Sequence, residues 1–468
     1  KNNNPPIGSF PKNEGLVNDF VAQTLSGHSF LLSNVMKANY KKKNGGVADL
    51  EWKASFADKR GVLNMSETNM SQLLRQRNFQ SEATGSLLAF TIPHLMFNLN
   101  GKVMFDWQRV SAGLNSLSDA SGSEQKTWLL GAFVSPKILL HFGNRLQWLV
   151  YVPVGVKYYH SADGSLDYDK RFFSTCPYSN LTYKPTGRLS FDLTTICEES
   201  MPSVLSQMVL KHYVNYRTTM SNPHQVEIAP NRSVKLAFTS SYKDIIKMLF
   251  GGVTLSYVDA RNGNSMGYQV VDDVVNYIVQ PQSTKNRVWQ IEQMVSKGFF
   301  RWNSKISESL SIGTSRSEYY VGGDCHDGRS DYLQAKISYV ASVRKWLNLS
   351  ISNDYSVSKP YTDGKASGEV YRTFMNASSF TFWLGKQLNV VPSVQYYHNN
   401  YFSSGRNNVF LNTVMEYYWG NATLSLKCTN LLDSRTFHRI IDNGITRYSG
   451  EYQLRGRTIL FGIRIKII

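Results

Sequence analysis

The segment from Thr458 to Ile468, TILFGIRIKII, alternates between apolar and mostly polar residues. One parity consists of Ile459, Phe461, Ile463, Ile465 and Ile467, and the other of Thr458, Leu460, Gly462, Arg464 and Lys466. A period of two is the period of a β-strand whose two faces meet different environments. Because the pattern recurs upstream with no clear helix between the repeats, we predict an all-β chain.

The composition fits two classes of β-protein. Charged residues make up 18% and aromatic residues 13% of the 468 residues, and the mean hydropathy is −0.31. No apolar run approaches the roughly 18 residues of a helical membrane span. A strand of a transmembrane barrel exposes only every second residue to lipid, which keeps mean hydropathy low. A large soluble β-protein has a similar composition, so both classes stay open at this point.

The lengths of the connections favour the barrel. Short turns at 143–144, 344–345 and 420–421 alternate with long polar stretches at 161–170, 260–268, 319–330, 359–367, 399–408 and 434–452. Short turns at one end and long loops at the other are typical of an outer-membrane barrel. The predicted fold is an antiparallel up-and-down transmembrane barrel of about 16 to 20 strands, forming one domain over residues 1–468.

The amino-terminal part is less regular. Residues 29–41 and 47–57 predict a hairpin, and residues 64–81 predict a long loop. Residues 17–25 fit a strand or a short amphipathic turn, and residues 242–250 fit a strand or a helical turn.

The net charge of +17 does not indicate a nucleic-acid binder, because Lys and Arg are scattered along the chain rather than clustered with aromatic residues. Most of them are expected at solvated strand ends and loops. The alternative is that basic rims face anionic lipid phosphates or an anionic substrate. Polar residues expected to face the lumen are Lys336, Arg344, Lys427, Arg464 and Lys466.

No catalytic, cofactor-binding or metal-ligating residue is assigned, and the substrate-binding residues stay unknown. Asp324-Cys325-His326-Asp327 is expected to be an exposed polar loop, since neighbours in an extended chain point to opposite sides. The chain has no Gly-x-Ser-x-Gly elbow and no evident serine–histidine pair, so we predict that it is not an enzyme. Asp272-Asp273 is expected at a bulge or a loop return.

The four cysteines form no Cys-x-x-Cys motif. Cys428 is expected to act as a small hydrophobic residue on the apolar face of a strand. A bridge between Cys176 and Cys197 is left open, because their separation does not follow from the sequence.

Two motifs near the carboxyl end resemble a known family. The segment 426–433, LKCTNLLD, resembles the "strand, then Asn-Leu-(Phe/Leu)-(Asp/Asn)" signature of TonB-dependent outer-membrane receptors. The segment 454–458, LRGRT, is similar to their closing "Arg-(Pro/Gly)-Arg-Thr" segment. Weaker similarity runs over nearly the whole chain, for example at 183–191, YKPTGRLSF. Unlike the usual aromatic terminus of the family, this chain ends on Ile467-Ile468.

The resemblance implies a receptor of the Gram-negative outer membrane that imports a scarce nutrient by energy-coupled movement of a plug. Its implied partners are outer-membrane lipid, the plug domain of the same protein and a TonB-type energy-coupling complex, with a surface lipoprotein left open. Neither a plug nor a TonB box is recognised here, so the chain is expected to be the carboxyl-terminal barrel portion of a 22-stranded receptor. The alternative is a passive porin-like or structural barrel without TonB coupling.

Overall fold

The computed structural model describes residues 23–41, 47–65, 70–115, 120–163, 167–215, 218–271, 274–367, 369–400, 406–442 and 447–466. Its amino-terminal strands are β1 (Gln23–Lys41), β2 (Val47–Met65), β3 (Met70–Ile92), β4 (Leu95–Asn115), β5 (Ala120–Phe142), β6 (Leu146–Tyr151), β7 (Val154–Ala162), β8 (Asp167–Thr175), β9 (Tyr178–Tyr183) and β10 (Leu189–Ser200). The central strands are β11 (His212–Asn215), β12 (Thr218–Ser221), β13 (Asn231–Asp244), β14 (Leu249–Asn262), β15 (Ser265–Val271), β16 (Val274–Gln280), β17 (Thr284–Phe299) and β18 (Ser304–Val321).

The carboxyl-terminal strands are β19 (Asp324–Arg344), β20 (Leu347–Thr362), β21 (Lys365–Ala366), β22 (Tyr371–Leu384), β23 (Leu388–Asn399), β24 (Asn407–Trp419), β25 (Ala422–Thr429), β26 (Thr436–Asp442), β27 (Arg447–Gln453) and β28 (Thr458–Ile465). Two 3₁₀ turns occupy Val204–Gln207 and Arg301–Asn303. No helix among the described residues is long and apolar enough to cross a membrane.

One large antiparallel sheet forms the wall. In the described residues the wall has nineteen strands, namely β1 to β5, β6 continued by β7, β8 continued by β9, β10, β13, β14, β17 to β20, β22 to β25, and β28. The predicted all-β antiparallel barrel and its strand number are therefore confirmed.

The outward face follows the predicted alternation. On β28 the side chains of Ile459, Phe461, Ile463 and Ile465 are 60–67% exposed. The apolar residues Leu424 and Leu426 of β25 lie directly opposite this row. Such a large exposed apolar band indicates contact with lipid, because a soluble protein would bury it.

The wall has two edges. β28 pairs with β25, β1 pairs with β2, and no ladder joins β1 to β28 within the residues that the structure describes. Within those residues, one edge of β28 is therefore unpaired.

The asymmetry of the connections is also found. Turns of a few residues, such as 143–145, 345–346 and 420–421, lie at one end of the wall, here called the short-turn end. Long insertions, such as 201–230, 263–283 and 430–457, lie at the other, the long-loop end.

Several of the expected long loops are mostly strand, namely 64–81, 161–170, 260–268, 319–330, 359–367 and 434–452. β2 extends to Met65 and β3 starts at Met70, so most of 64–81 is strand, where Arg75 forms an ion pair with Asp58 across the ladder (2.6 Å). β18 and β19 likewise run through most of 319–330 and meet at the turn Gly322-Gly323, whose φ values are +58° and +104°. Strands that continue beyond a lipid layer need no apolar alternation, so their sequence looks like that of a loop.

The other local predictions have different outcomes. The hairpin at 29–41 and 47–57 is confirmed as β1 and β2. β13 ends at Asp244, whose Oδ1 accepts a hydrogen bond from the Lys247 backbone N–H (3.0 Å), so 245–248 is a turn. Asp272-Asp273 and most of 17–25 lie outside the described residues.

Candidate functional site

Two long insertions fold inward and cross the long-loop end of the barrel. Residues 201–230 contain β11 and β12, and residues 263–283 contain the hairpin of β15 and β16. β11 pairs with β12, β12 pairs in parallel with β16, and β16 pairs with β15. We call these four strands and the 3₁₀ turn at Val204–Gln207 the lid. Its parallel pairings depart from the up-and-down pattern of the wall.

The lid is bound to two different parts of the wall. At one side, Gly267 and Tyr268 of β15 pair with Tyr320 and Val321 of β18. At the other side, the Gln72 side chain of β3 donates to the Tyr213 carbonyl (2.8 Å) and accepts from the Tyr213 N–H (2.6 Å). The side-chain amide of Gln72 thus pairs with the Tyr213 backbone as a neighbouring strand would, because a buried backbone N–H and C=O need hydrogen-bond partners.

Apolar packing strengthens the attachment to β4. Val204 of the lid and Met208, which follows its 3₁₀ turn, form a buried cluster with Val110 and Ala112 on the inner face of β4. These residues are enclosed although most of the lumen wall is polar. Burying a side chain of the size of methionine stabilises such a contact by about 1.5–3 kcal/mol.

A buried polar network joins the lid to β5 and β7. Gln207 Oε1 accepts hydrogen bonds from the Tyr159 hydroxyl and from Ser161 Oγ (3.1 Å), and Gln125 Nε2 donates to Ser161 Oγ (2.7 Å). All four side chains are nearly inaccessible to solvent. Networks of this kind fix one orientation, since an unpaired partner in such a place is costly.

The first insertion begins at a buried ion pair. Lys157 Nζ of β7 lies 2.7 Å from Glu199 Oε1 of β10, and both side chains are less than a tenth exposed. The pair lines a cavity of about 720 Å³, here called the hinge cavity, which Cys176 and Cys197 also line. No disulfide joins the two cysteines, and Cys197 Sγ lies 4.0 Å from the Thr175 carbonyl oxygen. The structure thus brings these cysteines to one cavity, and the bridge that the sequence left open is not formed here.

A second cavity of about 620 Å³, the lid cavity, lies between the lid and the inner wall. Its apolar lining includes Leu63 and Leu74 from the wall and Val214, Ile228 and Val279 from the insertions. This volume lies in the range of pockets that hold small organic ligands.

Two buried polar atoms at the lid cavity have no hydrogen-bond partner among the residues that the structure describes. They are Nε2 of His212 and Oγ of Ser265, and both side chains are 2% exposed. His212 Nδ1 lies 3.3 Å from the Leu210 carbonyl oxygen, a geometry that assigns the proton to Nδ1 and leaves Nε2 as an acceptor. Burial lowers the pKa of His212, against a smaller opposite effect of the Leu210 carbonyl, so the imidazole is neutral at pH 7.

The residues that the sequence singled out lie elsewhere. Residues 324–327 start β19 at an exposed hairpin, where His326 Nδ1 lies 2.7 Å from Asp363 Oδ2. That contact, with the Asp327 N–H, lowers the pKa of Asp363. No group of three potential metal ligands occurs in the part of the chain that the structure describes. The polar residues expected to face the lumen are exposed on the predicted parity: Lys336, Arg344, Lys427, Arg464 and Lys466.

Sequence reasoning missed the lid. The apolar segment MPSVLSQMVL at 201–210 inside a long connection was an available signal, because an exposed loop has no need for it. Gln72 and His212 carried no signal, since a single polar residue in a strand or loop is usual.

Comparisons with known proteins concern the fold. No protein-family model and no curated protein matches the chain. Among solved structures, the copper transporter OprC gives a TM-score of 0.54 at 10% identity, over 95% of this chain and 78% of that chain. The unliganded ferric citrate transporter FecA gives 0.54 at 10%, over 95% and 61%. A double mutant of the Serratia marcescens hemophore receptor HasR, bound to HasA and heme, gives 0.50 at 11%, over 95% and 78%.

These likenesses cover almost the whole described wall. The predicted resemblance is therefore confirmed at the level of fold: at 10–11% identity, the chain shares the barrel fold of these three structures.

Proposed function

We propose that the chain is the barrel portion of a Gram-negative outer-membrane receptor that binds a scarce nutrient and imports it by energy-coupled transport. The lid carries this proposal. A passive channel needs a continuous aqueous lumen, whereas here a sheet bonded to β3 and β18 crosses the long-loop end. Passage through such a barrel requires a rearrangement, which a receptor obtains from energy coupling. The three similar structures are two transporters and a receptor, which agrees with this proposal.

The partners follow from the same proposal. The apolar outer band lies in outer-membrane lipid, and a plug domain of the same protein and a TonB-type complex at the short-turn end supply the movement. A surface lipoprotein would meet the long-loop end. No catalytic step is proposed.

The lid cavity is the proposed first binding site for the cargo. The neutral His212 Nε2 accepts a hydrogen bond, and Ser265 Oγ donates or accepts one, in an otherwise largely apolar space. A matching ligand is an uncharged or amphipathic small molecule with a hydroxyl or N–H donor. Such a donor would satisfy a buried acceptor that now lacks a partner, which favours binding by about 1–3 kcal/mol.

The test uses Gram-negative cells that express the protein. Depletion of small molecules from the medium is followed by mass spectrometry, with and without an uncoupler of the proton-motive force. We expect the cells to take up at least one compound. The uncoupler should stop this uptake, and His212→Leu should slow it. Uptake that continues undiminished with the uncoupler would establish a passive barrel instead.

A second measurement tests the lid. Entry of a bulky hydrophilic antibiotic that the outer membrane excludes is compared between the wild type and a variant with 265–280 replaced by a short Gly-Ser linker. We expect sensitivity only in the variant. Equal sensitivity of both would show that the lid does not close the lumen.

A further inference from the structure

The hinge cavity adjoins the lid cavity. Asn231 and Asn262 line both of them. Both amides are held in place, because Asn231 Oδ1 accepts the Gly263 backbone N–H (3.0 Å) and Asn262 Nδ2 donates to Thr284 Oγ1 (3.2 Å). The two spaces, of about 620 and 720 Å³, therefore meet at one polar boundary, so that an elongated ligand can occupy both.

The linings of the two cavities differ in chemistry. The lid cavity is largely apolar, whereas the hinge cavity is lined by hydroxyl groups in addition to the two asparagines, namely those of Ser135, Tyr151, Ser174, Ser200 and Ser233. Ser135 is only 1% exposed, and its Oγ has no hydrogen-bond partner within the described part of the chain. A buried hydroxyl in this state favours a ligand that supplies the missing hydrogen bond.

An aromatic ring forms one wall of the hinge cavity. Phe133 of β5 lies directly opposite Gly155 of β7 in the ladder. A Cβ atom at Gly155 would lie 2.6 Å from Cδ1 of the Phe133 ring, so only glycine leaves room for the ring in this position. The ring is thus supported by the backbone of β7. Sugar rings pack well on such a surface, because their C–H groups are attracted to the negative face of an aromatic ring.

The charges at the hinge cavity are largely balanced within the protein. Lys157 pairs with Glu199, and Lys102 pairs with Glu82 of β3 (2.7 Å). The other charged residues of the lining are of both signs, namely Arg232, Arg261 and Glu198. The cavity therefore does not select a charged ligand. The Lys157 ammonium and the Glu199 carboxylate still offer a donor and an acceptor, which suit hydroxyl groups because these both donate and accept.

We infer that the hinge cavity binds the sugar part of an uncharged glycoside whose apolar part occupies the lid cavity. One sugar hydroxyl bonds to Ser135 Oγ, others reach the Lys157–Glu199 pair, and a C–H face of the sugar packs on Phe133. This assignment accounts for the contact between an apolar and a hydroxyl-lined cavity. It rests on the proposed function, in which the lid cavity holds the cargo.

The test compares three probes: 4-hydroxyphenyl β-D-glucoside, the corresponding galactoside, and 4-methoxyphenol, in which a methyl group replaces the sugar. Binding to the whole protein in phospholipid nanodiscs is measured by isothermal titration calorimetry, with empty nanodiscs as the blank. We expect at least one glycoside to bind about tenfold more tightly than 4-methoxyphenol, through the added hydrogen bonds and ring packing. If neither glycoside binds more tightly than 4-methoxyphenol, the inference is wrong.

Two variants separate the sugar from the apolar part. Ser135→Ala removes the hydroxyl and Phe133→Leu removes the aromatic face, and each should weaken glycoside binding about fivefold while leaving the affinity for 4-methoxyphenol unchanged. The matched control is Ser304→Ala, which changes another buried serine but at the short-turn end, and it should bind the glycoside as the wild type does. Equal losses in Ser135→Ala and Ser304→Ala, or an equal loss of both compounds in Ser135→Ala, contradict the inference.

Thiol labelling locates the bound sugar. Cys176 and Cys197 line the hinge cavity and are partly exposed, whereas Cys325 is exposed on the hairpin of β18 and β19. The glycoside should slow the alkylation of Cys176 and Cys197 by iodoacetamide and leave that of Cys325 unchanged. Unchanged rates at all three cysteines would place the glycoside elsewhere and overturn the inference.

The failure of this inference and that of the proposed function are distinguishable. Binding of 4-methoxyphenol that is weakened by Ser265→Ala, with no advantage for either glycoside, would refute the sugar site and leave the proposed function standing. Glycoside binding that depends on Ser135, together with uptake that the uncoupler does not affect, would refute only the proposed function.

Discussion

Replacing Gln72 by leucine should release the lid from β3. The Gln72 amide makes two hydrogen bonds to the backbone of Tyr213, and the side chain is 3% exposed. Leucine has a similar volume but no polar atoms, so the Tyr213 N–H and C=O would lose their partners in the docked lid. Each unsatisfied buried group costs about 1–3 kcal/mol, and partial hydration limits the total to about 2–4 kcal/mol.

Hydrogen–deuterium exchange measures this cost directly, since the Tyr213 N–H is itself one of the two donors. A loss of 2–4 kcal/mol corresponds to a fall in protection of roughly thirtyfold to a thousandfold. The matched control is Gln76→Leu, the same change on the same parity of β3 and four residues further along the strand. We expect Gln76→Leu to keep full protection at Tyr213, and both variants to keep the protection of β3 and β4.

Two outcomes would contradict the role of Gln72 in holding the lid. If Gln72→Leu leaves the exchange of Tyr213 unchanged, the lid is not held by this contact. If both variants lose protection equally, the effect belongs to β3 as a whole and the reasoning about Gln72 fails.

Three other predictions concern the lid and the ion pair that lines the hinge cavity. The pKa of His212 is lowered in the docked lid, so docking is fully stabilised above the ordinary pKa of about 6.5 and weakens as the pH falls below it. Hydrogen–deuterium exchange of the β11 amides, corrected for intrinsic rates, should therefore rise faster between pH 7 and 5 in the wild type than in His212→Phe. Parallel curves for the two proteins would contradict this. Met208→Ala should weaken docking by about 2–5 kcal/mol through the lost packing and the cavity it leaves, measured as antibiotic sensitivity in cells, whereas Met208→Leu should behave almost as the wild type does. Lys157→Met should destabilise the folded protein by about 3–5 kcal/mol, because Glu199 is left as an unpaired buried charge. The double variant Lys157→Met/Glu199→Leu should recover most of the loss in thermal midpoint. No recovery would show that the broken ion pair is not the cause.

The confirmed and the wrong sequence predictions differ in one physical respect. Where a strand crosses lipid, one face must be apolar, so β28, β19 and β20 were recognisable from alternation alone. Where strands extend past the lipid, as at 64–81 and 319–330, both faces meet water and the pattern disappears although the ladder continues. The backbone hydrogen bonds that continue these strands leave no trace in side-chain polarity.

The sequence by itself determined the class of fold, the inward and outward faces of the wall and the asymmetry of its ends, because each depends on local period and local turn composition. Only the tertiary structure decided that residues 201–230 and 263–283 form a lid, since the pairs Gln72–Tyr213 and Gly267–Tyr320 join segments far apart in the chain. A period-two pattern fixes which face a residue occupies, whereas the register of distant strands fixes what stands beside it.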